Sequence, residues 1–139
     1  MSEERKDDAT KDVNSKKSKD FLLCSLVSTV NKSPLSLSIT LTVGGSVISG
    51  KLVSGKEYME SVAARYKSLD DEIGTILSDT FLYVGDKLYS NPTNEGNVLP
   101  DMIHLNDAVL FQGNARFNLG NWRGKISAVD GFAMGKPSE

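Results

Sequence analysis

From residue 35 to residue 43 apolar and polar side chains alternate without a break. Leu35, Leu37, Ile39, Leu41 and Val43 fall on one side, with Ser36, Ser38, Thr40 and Thr42 on the other. A period of two marks a strand with one buried face. Gly44-Gly45 follows, and both residues tolerate the positive φ that a tight hairpin turn demands. Residues 46–53 then read as the returning strand. Gly50 inside it marks a bulge or sharp bend of the kind that curls a sheet.

The pattern changes period on either side of this hairpin. In residues 21–30, Phe21, Cys24, Leu26, Val27 and Val30 lie close to one helical face. The run could be a helix or a strand, and the spacing favours a short helix capped by Ser18 and ended before Pro34. Ser54-Gly-Lys-Glu57 is a capping box. It opens a helix to about residue 67, with Tyr58, Met59, Val62, Ala63 and Tyr66 along one face. Ser68 followed by Asp70, Asp71 and Glu72 predicts a second start, an oxygen cap with negative charge at the positive end of the helix dipole. Its apolar stripe is Leu69, Ile73, Ile76, Leu77, Thr80 and Phe81, and its end is expected near Gly85.

The C-terminal half is more broken. Residues 88–100 are rich in Asn, Gly and Pro and predict a loop. Residues 102–105 and 108–112 are strand-like, with Asn106-Asp107 as a bend or bulge. Residues 113–121 read as another loop. Residues 122–129 and 132–136 are expected to close the fold as a hairpin around Asp130-Gly131, a strong type I′ signal. The elements predict an α+β fold: a small, curved, partly closed antiparallel sheet of SH3-like or Sm-like barrel character, with an N-terminal helix and an inserted helical pair.

Composition narrows the class. A chain of 139 residues fits one domain, expected here over residues 21–136. Residues 1–20 carry six acids and six bases and almost nothing apolar. They are expected to be a disordered charged tail, either solubilising or forming a weak, salt-sensitive contact between copies. The net charge of −2 and pI near 5.4 argue against nucleic acid and against an anionic membrane surface as partners. The N-terminus lacks a signal-peptide core, and no apolar run is long enough to span a bilayer. The one cysteine rules out an intramolecular disulfide and fits a cytoplasmic protein.

Candidate chemistry is sparse. One histidine and one cysteine cannot build a zinc site. His104 in a strand-like segment reads as an imidazole on or under the sheet, and Cys24 in an apolar run reads as core. Asp70, Asp71 and Glu72 are explained by helix capping. The glycines form no phosphate-binding loop, since Gly44-Gly45 joins two strands. No catalytic, metal or cofactor site is expected. Trp122 and Arg123 make the most interesting pair: a contact anchor if the indole is partly exposed, a core residue beside a snorkelling arginine otherwise. By alternation Trp122, Gly124, Ile126 and Ala128 share one face, which turns Trp122 inward. With Phe132 in the closing hairpin, Trp122 and Arg123 are the candidate interaction residues.

Five blocks in order carry a resemblance. They are Val43-Gly-Gly-Ser-Val-Ile-Ser-Gly50, Ser54-Gly-Lys-Glu-Tyr58, Ile103-His-Leu105, Trp122-Arg-Gly-Lys-Ile126 and Val129-Asp-Gly-Phe132. No single block is specific, but the ordered set resembles the gas vesicle accessory protein U family, over roughly residues 35–136. The resemblance implies a non-enzymatic accessory role in assembling or clustering the air-filled protein shells that give bacteria buoyancy. Implied partners are vesicle shell or other accessory proteins and further copies of the chain. The family supplies no site residue to carry over. The rival reading is a small Sm-like or SH3-like interaction module, binding protein or nucleic acid, with no connection to vesicles.

Overall fold

The computed structural model describes residues 18–90 and 99–137. The tail at 1–17 and most of the Asn-rich stretch lie outside the described residues. Five strands form one sheet: β1 (Leu37–Val43), β2 (Ser46–Val53), β3 (Met102–Gln112), β4 (Ala115–Lys125) and β5 (Gly131–Met134). Their order is β4-β3-β2-β1-β5, antiparallel throughout. Among the described residues three α-helices complete the fold, α1 (Phe21–Lys32), α2 (Gly55–Lys67) and α3 (Glu72–Tyr89). None is long and apolar enough to cross a membrane.

The sheet is open. Among the described residues β4 pairs only with β3, and the four-residue β5 pairs only with β1, so the sheet is not closed and the expected partial closure into an SH3-like or Sm-like barrel does not occur. Helices cover both faces instead, the usual way for a sheet to bury two apolar sides. On one face α1 lays Leu23, Cys24, Val27 and Val30 against Ile39, Leu41, Leu52, Ile103 and Leu105. Each fully buried Leu or Ile here contributes about 1.5–3 kcal/mol. The register turns Val53 and its partner His104 to the other face. There Tyr58, Met59 and Val62 of α2 pack with Phe81, Val84 and Tyr89 of α3.

Caps fix the helix starts. Asp20, rather than Ser18, accepts from the Leu23 amide at 3.2 Å. Ser54 accepts from the Glu57 amide at 3.0 Å, the first half of the expected capping box. Asp71 takes the same role on Gly74, one turn after the expected Ser68. Each such cap is worth about 1 kcal/mol. Two faces depart from the periodicity. Phe21 is 72% exposed, because α1 turns on Leu23 instead. In α3 the buried positions are Gly74, Ser78 and Gly85, while Ile73 and Ile76 face solvent. Small residues let α3 approach α2 closely: a side chain at Gly85 would meet the Met59 Cβ at 2.8 Å. That contact also carries the helix past its expected end, to Tyr89.

The C-terminal half departs most. Met102–Gln112 is one strand, bulged where Asp107 takes a φ of 52°. The expected loop over 113–121 is mostly β4, whose pairing with β3 shifts around Ala108 and Gly120. Asp130-Gly131 is not a hairpin turn. β4 ends in a 3-10 turn at Ile126–Ala128, and β5 crosses over to β1. The Asp130 carboxylate accepts from the Gly44 amide at 2.8 Å, tying this crossover to the β1–β2 turn.

Candidate functional site

The three candidate residues take three different places. Trp122 pairs with Leu105 and is half-buried against the core under α1. Its indole folds back over Gly124, leaving no room there for a β-carbon. Ile126, on the same side, is fully buried. Phe132 pairs with Leu41 and packs half-buried against the same core. Trp122 and Phe132 stand on opposite edge strands, with β3, β2 and β1 between them. Arg123 is exposed and lies on the opposite sheet face from Trp122. The fold therefore does not bring the three together.

It does bring Arg123 to His104. The Arg123 Nε donates to His104 Nε2 at 3.1 Å, and the Tyr89 hydroxyl stands 3.3 Å from the same nitrogen. Since Arg123 Nε can only donate, Nε2 accepts and the imidazole proton sits on Nδ1. The Tyr58 ring lies tilted against the imidazole at 4.8 Å between centroids, and Tyr89 meets it edge-on at 5.4 Å. His104 is 2% exposed. Burial, and then the Arg123 charge, pull its pKa down to about 3. Burial likewise raises the Tyr58 hydroxyl, against the lowering charges of Arg123 and Arg65.

The cluster is thus a neutral imidazole held as an acceptor, locking the C-terminal turn of α3 onto β3 and β4. Alternation places His104 on a sheet face. It gives no sign of Tyr89 or Arg123 as partners, because they come from distant segments. Cys24 is fully buried under α1, and that burial raises its pKa. Among the described residues no group of three or more His, Cys, Asp or Glu is placed to hold a metal ion.

No curated protein and no solved structure matches the chain. The family described as Gas vesicle protein GvpU-like matches residues 20–137. That span contains the three α-helices and five strands of the described residues. The chain therefore belongs to the GvpU-like family of gas vesicle proteins.

Proposed function

We propose that the chain is a cytoplasmic, non-enzymatic accessory protein that binds gas vesicle shell or other accessory proteins, and its own copies, to assist vesicle assembly or clustering. The observation that carries this reading is the family match, which runs across the whole described fold from residue 20 to residue 137. The state of the one histidine supports the non-enzymatic part. Its Nε2 is engaged by Arg123 and Tyr89 and covered by α2 and α3, so it is held for packing rather than proton transfer.

Exposed apolar side chains support the binding part. Ile73 is 69% and Tyr83 64% exposed on α3, and Phe117 stands half-exposed on the β4 edge. Within this reading Arg123 is the solvent-facing member of the three candidate residues. Trp122 and Phe132 contribute through their partly exposed flanks. Weak contacts suffice, because many copies on one shell act together.

Co-flotation tests the binding. Purified full-length protein is mixed with purified vesicles, and the buoyant layer is assayed after gentle centrifugation. Protein recovered with the vesicles in proportion to shell surface is expected. Protein left wholly in the subphase at every salt concentration would refute direct shell binding.

A further inference from the structure

Two surfaces on this chain complement each other. The first is the outer side of α3. Gly74, Ser78 and Gly85 face α2, so the opposite side carries Ile73, Ile76 and Tyr83, all exposed. Beside them Glu72, Asp79 and Asp86 recur every seven residues, about 10 Å apart along the axis. Lys87, over the Tyr83 ring at 5.6 Å, is the one cation of this helix. The surface is an apolar ridge with an acidic margin.

The second surface is the end of the sheet face that, among the described residues, α2 and α3 leave open. The register sets Lys51 and Val109 on that face, with Phe111 and Arg116 paired beyond them. With Lys136 they border a cavity of about 510 Å³. Val109 and Phe111 give its lining an apolar part beside Ser49 and Gly50, and the Arg116 guanidinium lies 5.2 Å from the Phe111 ring centroid. Among the described residues Lys51, Arg116 and Lys136 border the cavity with one carboxylate, Asp107, which stands 3.8 Å from Lys51. The chain as a whole is net negative, whereas the described lining of this cavity carries more bases than acids. A helix laid across it would complete the layer that α2 and α3 leave unfinished.

We propose that α3 of one copy docks across this cationic cavity of the next, joining folded domains head to tail. The proposal rests on the self-association read above and names its two surfaces. Ile76 and Tyr83 meet Val109 and Phe111, while Asp79 and its acidic neighbours meet Lys51, Arg116 and Lys136. Because the two surfaces differ, each joined copy still presents one free surface of each kind. Such heterologous contacts grow into open chains unless a rotation closes a ring. The charged margin sets partner choice and makes the contact weaken as salt rises.

Two full-length double variants test this by sedimentation velocity. Lys51→Glu with Arg116→Glu disables the cavity and leaves α3 intact. Ile76→Ser with Tyr83→Ser disables the ridge and leaves the cavity intact. All four side chains are exposed, and circular dichroism confirms each fold. Wild type is expected to form species larger than a dimer. Each variant alone should need about tenfold more protein, or more, to associate. A one-to-one mixture should form a heterodimer and stop there. Large assemblies persisting in either variant, or a mixture that stays monomeric or grows past the dimer, would overturn the interface while self-association stood. Wild type that stays monomeric at all concentrations and salts would overturn both.

Discussion

Acid should strip stability from this fold through a single side chain. His104 is neutral in the folded protein down to about pH 3, because burial and the Arg123 guanidinium both oppose its charge. In the unfolded chain it takes up a proton below about pH 6.5. Between these values the unfolded state binds more protons, so stability is full above pH 6.5 and falls as pH drops toward 3. At about 1.36 kcal/mol per unit the whole interval corresponds to nearly 5 kcal/mol, of which about 2.5 kcal/mol is lost between pH 7 and 4.5. The upper part of this window precedes most carboxylate titration. Urea unfolding at pH 6.5, 6.0 and 5.5 should show a slope approaching about 1.2 kcal/mol per pH unit. The chain has one histidine, so its ring C–H signals in a nuclear magnetic resonance spectrum are unambiguous. They should hold a single neutral position from pH 8 to 4.5 while the protein stays folded. A midpoint near 6.5 in the folded protein would refute the sealed-acceptor geometry.

Three further outcomes follow from the packing. Gly124→Ala forces a β-carbon into the Trp122 indole and should cost about 1–3 kcal/mol, with a shift in tryptophan emission; unchanged unfolding and emission would contradict the stacked indole. Asp71→Ala removes the α3 cap on Gly74 and should lower stability by about 1 kcal/mol, while Asp71→Ser, read by thermal melting, should recover most of it. Cys24 is fully buried, so its reaction with a thiol reagent should be slow in native buffer and fast in denaturant; fast native labelling would contradict the packing of α1.

Much of the N-terminal half is legible in the sequence because its local signals agree with its tertiary role. Leu37 to Val43 alternates and is a strand, Gly44-Gly45 turns it, and Ser54 caps α2. The failures share a physical origin. In α3 the buried positions are Gly74, Ser78 and Gly85, so of the apolar stripe read from side-chain size Leu69, Ile73 and Ile76 point to solvent while Phe81 packs inward. In β4, Asn118, Gly120 and Asn121 resemble a loop, because pairing with β3 rather than residue propensity holds the strand straight. Asp130-Gly131 has the chemistry of a tight turn, but the 3-10 turn before it sends β5 to the far edge. The His104 cluster draws on α2, α3, β3 and β4, and no spacing rule connects Tyr58, Tyr89 and Arg123 before the fold does.

Vesicle dispersion is the most direct measure of the proposed gathering of gas vesicles by this chain. Purified vesicles are titrated with full-length protein and followed by light scattering, with electron microscopy at the end point. Clusters are expected to appear above a threshold ratio of protein to shell and to disperse as salt rises. Vesicles that remain separate at every ratio, in low salt and with soluble, folded protein present, would contradict it.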